Sequence, residues 1–229
     1  SRAAAVAFAS RGASRVRVYA GAPEKPGGPP MPSSPLGVVR PGGGPVVTIE
    51  LFLDLCCPFS ARLFKTVAGS VAPQYEGKVT FIVHPVAQPW HAQSSYMHEA
   101  SLAVLDVAGA AKVWDFYAAA FDQQEQFFDD KVYDKTRREI YTQLADIAGT
   151  VGVDSSAVRD RLNMIGDGNA GNSVTQQMKW ATKLHRTRGV HVTPTVYLNY
   201  LEAGVVSSGW SADEWKSFLD YHVHQAESA

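Results

Sequence analysis

The chain is poor in cysteine: of 229 residues only Cys56 and Cys57 are cysteines, and they are adjacent. Neighbouring cysteines close a strained ring and point to opposite sides of a strand, so no disulfide framework is available and nothing points to secretion. No apolar run approaches the roughly 20 residues of a membrane span. Charge of one sign is missing too, since a formal net charge of −1 argues against the basic surface of a nucleic-acid binder. At the N-terminus there is no acid before Glu24, while Arg2, Arg11, Arg15 and Arg17 stand among Ala and Ser. That is the composition of a mitochondrial or plastid transit segment. Residues 36–39 read as a short edge strand; the Gly42-Gly43-Gly44 that follows lacks the Lys-Ser/Thr of a phosphate loop and does not lie between a strand and a helix, so it reads as a linker. No internal repeat is present.

What is there is organised around residues 46–64, VVTIELFLDLCCPFSARLF. Val46, Val47, Ile49, Leu51, Phe52, Leu53 and Leu55 make an apolar run of buried-strand length that breaks at Cys56-Cys57-Pro58. Then the period changes: Phe59, Leu63, Phe64, Val67 and Val71 fall on one face of a helix whose first turn carries Pro58, where a missing N–H costs nothing. Cys57 therefore stands at a strand-to-helix junction. There the unpaired N–H groups and the helix dipole favour a thiolate, so the sulfur is a candidate nucleophile. The plainer reading is a small residue beneath a turn. Asp54 is either a buried acid that tunes the thiol or a strand-end residue.

The spacing Cys57-Pro58-Phe59-Ser60 is that of a Cys-x-x-Cys motif with oxygen in place of the second sulfur. Serine cannot resolve a mixed disulfide, and Cys56 is no substitute. Dithiol oxidoreductase activity is therefore not expected.

Residues 78–86 form the next strand, and strand, helix and strand at this spacing predict a parallel crossover. Residues 94–188 are helical in period almost throughout, with a capping box at Thr136-x-x-Glu139 and Asp154 as a further cap. Strand character returns at 190–199. The Glu202-Ala203-Gly204 segment predicts a turn with Val205-Val206 as hairpin partner, and Ser211-x-x-Glu214 caps a last helix. His84, His91 and His98 recur every seven residues but do not share a face, so no metal site is expected. Trp90 and His91 are candidates to line a pocket beside Cys57, and His91 to assist its thiolate, with loop rigidification as the plainer role.

This order of elements resembles the thioredoxin fold with the helical insertion of the DsbA-like class. The resemblance is carried by Cys57-Pro58-Phe59-Ser60 and by residues 189–195, GVHVTPT, which resemble the cis-proline segment of that family. More narrowly, FLDLCCPFSARLF with QPWHAQSSYMHEA looks like a group of eukaryotic DsbA-like thioredoxin-domain sequences. The resemblance implies an α/β, thioredoxin-like domain over 46–222 with an insertion at about 94–188 and a tail at 223–229. It implies Cys57 as nucleophile, Ser60 in the place of the resolving thiol, and Thr193 and Pro194 as backbone for an extended substrate across a cis bond. Residues 1–45, rich in Pro and Gly, do not look like a fold and are expected to dock the domain onto protein subunits, with an anionic membrane surface as a further partner for the arginines.

Two functions follow as expectations. In one, the fold is an accessory or structural subunit of a mitochondrial assembly, without cofactor, and Cys57 is a vestigial or monothiol site; plastid and cytosol are the alternative locations. In the other, Cys57 is a monothiol oxidoreductase nucleophile with glutathione replacing the missing sulfur, or serves a kappa-type glutathione transferase or isomerase.

Overall fold

The computed structural model describes residues 27–228, and the folded unit begins at Pro32. The transit-like stretch at 1–18, and most of the segment expected to dock on a partner, lie outside the described residues.

In chain order the elements are β1 (Val38–Val39), β2 (Val47–Leu53), α1 (Pro58–Thr66), β3 (Val79–Pro85), α2 (Ser94–Ala108), α3 (Ala110–Asp122), α4 (Asp129–Val132), α5 (Arg137–Thr150), α6 (Ser155–Leu162), α7 (Thr175–Thr187), β4 (Thr195–Leu198), β5 (Leu201–Glu202) and α8 (Ala212–Glu227). After α1 the chain continues through a π-helical turn, Val67–Val71, and a 3₁₀ turn, Ala72–Tyr75, rather than as one regular helix to Val71. The five strands line up as β1-β3-β2-β4-β5. β2 and β3 are parallel, with Leu51 opposite Val83, and β4 returns antiparallel on the other side of β2, with Leu51 opposite Val196. The result is a mixed sheet with a helical block, α2 to α7, inserted between β3 and β4.

β2 is central and covered on both faces, which is why its sequence is nearly continuous in apolar residues rather than alternating. Val47, Ile49, Leu51 and Leu53 belong to the main core with Phe64, Trp215 and Leu219. Phe52 lies in a smaller cluster with Val86, Val190 and Tyr197. On the Phe52 side β2 also carries a buried charge: Glu50 Oε1 accepts from His84 Nε2 at 3.0 Å and from Arg188 Nη1 at 2.6 Å. Burial works to raise the Glu50 pKa, but these two partners outweigh it and hold the carboxyl below its ordinary value.

Two sequence expectations need correction. The hairpin turn is not at 202–204 but at Asn199-Tyr200, both with positive φ (45° and 72°), so β5 is Leu201–Glu202 and residues 205–206 form no strand. Left-handed backbone at both central positions suits a two-residue hairpin, and Asn199 tolerates it. Its Oδ1 accepts from Thr48 N–H at 2.8 Å, which ties the turn to β2. The second concerns the N-terminal boundary, expected at residue 46: the edge strand expected at 36–39 is present as β1, and it already belongs to the folded unit. Val38 is buried, its carbonyl accepts from Trp114 Nε1 at 3.1 Å, and Arg40 N–H donates to Phe81 O at 2.8 Å. The triple glycine is likewise part of the unit: Thr80 Oγ1 donates to Gly44 O, and a Cβ on Gly44 would sit 2.0 Å from Gly77 O. Glycine is there to let two backbones meet. Among the described residues no helix is long and apolar enough to cross a membrane.

Candidate functional site

The end of β2 delivers Asp54, Leu55, Cys56 and Cys57 into a turn that becomes the N-terminus of α1. Cys57 is the residue before the first helical turn, in extended conformation (φ −84°, ψ 121°), with Pro58 as the first helical residue. This is the junction expected from the sequence. The Cys57 thiol donates to the carbonyl of Thr193 at 3.3 Å, and the Thr193-Pro194 peptide bond is cis. Two segments 136 residues apart thus meet at one sulfur, and the residue as a whole is 6% exposed.

Cys56 has a different environment. Its sulfur lies 3.6 Å from Phe127 O and accepts from Gln93 Nε2 at 3.1 Å, with 2% of the residue exposed. Burial, and then the nearby charge of Asp54, push its thiol up to about 12. It is a packed thiol, protonated at neutral pH. Ser60 is fully buried, and its Oγ accepts from Asp54 N–H at 3.3 Å. The hydroxyl is used to finish the turn.

The turn leaves few polar groups loose, as a buried segment must. Leu55 N–H donates to His98 Nε2 at 3.3 Å, and Leu55 O accepts from Gln124 Nε2 at 2.8 Å. Cys57 N–H donates to Asp54 O, and Cys57 O accepts from Ala61 N–H. Because His98 accepts at Nε2, its Nδ1 carries the proton and faces Tyr117 Oη. Complete burial lowers the His98 pKa to about 4, so it stays neutral.

Asp54 is the joint of the site. Its side chain has no exposed surface and accepts four hydrogen bonds: Cys56 N–H at 2.7 Å and Ser94 Oγ at 2.5 Å on Oδ1, Gln88 N–H at 3.2 Å and His91 Nδ1 at 2.8 Å on Oδ2. The carboxylate joins the thiol turn to the loop that carries Trp90 and His91. Gln88 extends the link, since its Nε2 donates to His191 O at 3.2 Å in the segment leading to Thr193. Of the residues singled out in the sequence, Cys57, Ser60, His91, Thr193 and Pro194 are therefore drawn into one connected arrangement. Trp90 lies on the same loop with its side chain largely in solvent (61%). Phe59 and Val192 are also more than half exposed, at 54% and 63%, so each segment meeting at the sulfur carries an exposed apolar side chain. Gln88, Gln93, Ser94 and Gln124 were missed from the sequence, where isolated polar residues in loops and on helices carry no periodic signal, and His98 stood out there only for its spacing from His84 and His91. His84, His91 and His98 take separate partners, Glu50, Asp54 and Leu55 N–H.

Comparison with known proteins bears on the fold that carries these residues. No curated protein matches the chain. Among solved structures, the chain is similar to a candidate protein-disulfide isomerase from Pseudomonas syringae, with 26% identity and a TM-score of 0.64, covering 79% of this chain and 96% of that one. BdbD from Bacillus subtilis, in its oxidised form, superposes with a TM-score of 0.59 at 20% identity, covering 82% of this chain and 93% of that one. The thiol-disulfide exchange protein alpha-DsbA2 from Wolbachia pipientis gives 0.59 at 17% identity, covering 81% and 86%. At these lower identities the likeness is one of fold, and it extends to the inserted helical block. The thioredoxin family model (Thioredoxin_4) matches residues 45–221, from the start of β2 into α8 and through every segment that meets at Cys57, and the chain belongs to that family.

Proposed function

We propose that this protein is a glutathione-linked monothiol oxidoreductase with Cys57 as its nucleophile. The observation that carries the reading is the Cys57 sulfur, at the N-terminus of α1 and 3.3 Å from the carbonyl of Thr193, with an oxygen, Ser60, where a second thiol would stand. A thiol at that junction is suited to attack, and an extended chain laid along Thr193-Pro194 would bring its sulfur to the same place. The thiol-disulfide chemistry in the descriptions of several similar structures supports the class of reaction. Ser60 and the buried Cys56 remove the dithiol version of it.

In the cycle, Cys57 thiolate attacks the glutathione sulfur of a mixed disulfide. The Cys57–glutathione S–S bond forms, the original S–S bond breaks, and the substrate leaves as a thiol. A second glutathione thiolate then attacks the Cys57-bound glutathione, releasing glutathione disulfide and restoring Cys57. The direct assay is reduction of a glutathionylated peptide by glutathione. Turnover should require Cys57 and be lost in Cys57→Ser. Wild-type turnover no faster than Cys57→Ser would overturn the reading.

The second reading is an accessory or structural subunit of a mitochondrial assembly. Ser60 and the small exposure of Cys57 favour it. Co-migration of the full chain with a large complex in mitochondrial extracts, unchanged in Cys57→Ser and without glutathione turnover, is the result it requires.

A further inference from the structure

Resting on the monothiol reading, we infer that His91, oriented by Asp54, is the proton carrier for exchange at Cys57. The exchange needs one. In the structure the Cys57 thiol donates its hydrogen to Thr193 O, a bond that only the protonated sulfur can make. Ionisation breaks that bond and turns a carbonyl oxygen towards an anion, so the thiol proton must go to a separate acceptor. At the other end of the reaction an alkyl thiolate leaves poorly unless a proton reaches it.

His91 is built for both events. Asp54 can only accept from it, so the neutral ring carries its hydrogen on Nδ1 and a lone pair on Nε2. Nε2 has no hydrogen-bond partner among the described residues, and the side chain is 21% exposed while Asp54 is fully buried. An acid that fixes the tautomer of a part-exposed imidazole and also holds the turn bearing a sulfur nucleophile follows the logic of nucleophile, base and orienting carboxylate. The imidazole is brought to the site through Asp54, whose other oxygen holds the N–H adjacent to Cys57, and through Gln88, which holds the Thr193 segment. Asp54 faces it from the end of β2, and Trp90 stands beside it on its own loop with ring centroids 6.1 Å apart. His98, against the same turn, is neutral.

The proton bookkeeping closes. Nε2 takes the Cys57 proton directly or through one water, the Cys57 sulfur forms its bond to the glutathione sulfur as the old S–S bond breaks, and the imidazolium gives the proton to the departing thiolate. Nothing is consumed beyond the disulfide.

The test uses leaving groups. Reduced protein is mixed in single turnover with two glutathione mixed disulfides, one releasing cysteamine and one releasing 5-thio-2-nitrobenzoate, an aromatic thiolate that departs without a proton. His91→Gln keeps a donor for Asp54. It should slow the cysteamine reaction about 100-fold or more, the usual scale of acid–base assistance, and by at least about tenfold more than the aromatic one. Added imidazole should restore part of the cysteamine rate in His91→Ala. Equal losses with both disulfides, as a purely positional role would give, or no loss, overturn the proposal. If the leaving-group difference stands but glutathione does not regenerate Cys57, the monothiol cycle fails and the role of His91 survives. If wild-type Cys57 attacks neither disulfide, both fall.

Discussion

Removing the Asp54 carboxylate is the sharpest perturbation of the site. In Asp54→Ala the acceptors for Cys56 N–H and Gln88 N–H vanish, and both residues are buried, at 2% and 5% exposure. Neither amide can turn to water without unwinding the turn or the loop that bears it. An unsatisfied buried donor costs about 1–3 kcal/mol, so the pair costs about 2–6 kcal/mol. Ser94 and His91 lose partners as well, but the buried Ser94 hydroxyl can rotate to a carbonyl of the preceding turn and His91 reaches solvent, so both add little. For a domain of this size each kcal/mol moves the melting temperature by about 2–4 °C, which puts the expected drop at roughly 4–24 °C. Asp54→Asn should fall between, because its amide oxygen can keep Cys56 N–H and the Ser94 hydroxyl while its NH₂ opposes Gln88 N–H and His91. Urea denaturation followed by tryptophan fluorescence gives the free energies, and hydrogen exchange at the Cys56 and Gln88 amides locates the loss. An Asp54→Ala variant less than about 1 kcal/mol below wild type, with both amides still protected, would refute the account of Asp54 as the joint between turn and loop.

Three further outcomes are expected. Arg188→Met leaves the buried Glu50 carboxylate with His84 alone and should cost about 3–5 kcal/mol at pH 7, as breaking a buried pair does. Because the folded-state pKa of Glu50 is depressed, its stabilisation is present above the unfolded value of 4.5 and lost as pH falls through the folded value; the gap between variant and wild type, measured by urea titration, should narrow on acidification and not widen. With its pKa near 12, about one Cys56 in ten thousand is thiolate at pH 8, so iodoacetamide followed by peptide mass spectrometry should find Cys57 alkylated at least about 100-fold faster; equal rates would contradict the burial of Cys56. Ser60→Cys creates a Cys-x-x-Cys spacing at the start of α1 and should raise insulin reduction with dithiothreitol above the wild-type level, while two free thiols persisting at 57 and 60 under mild oxidant would show the spacing alone to be insufficient.

What could be read from the sequence was local. The capping boxes at Thr136 and Ser211 and the Asp154 cap lie within a few residues of what they cap, and each forms where its spacing says. β2 announces its double burial by an unbroken apolar run, and the change of period after Pro58 places Cys57 at a helix start. The hairpin was misplaced because Tyr200, at positive φ, is not a residue that turns favour, whereas Gly204 is. The triple glycine looked like slack because the backbone it must approach, Gly77 and Thr80, is more than 30 residues away.

The same distance effect divides the candidate site. A candidate nucleophile declares itself through its own neighbours, so Cys57, Pro58 and the oxygen of Ser60 in the second-thiol position are visible in four consecutive residues. Its supports are not. His91 and Gln88 reach Asp54 across 37 and 34 residues, His98 reaches Leu55 across 43, and Gln124 reaches it across 69. Each supplies a single hydrogen bond at an irregular offset, which no period of 2 or 3.6 can register. Yet a turn with buried amides is tenable only if such partners exist, because every unpaired N–H would cost a sizeable part of the stability of an ordinary domain. An acid ending a buried strand, just before a turn that cannot pair its own amides, is thus a request for donors from elsewhere in the chain. In this chain the elements that answer it are the Gln88–Ser94 loop and the inserted helical block, so the insertion holds the thiol turn in place besides enlarging the core.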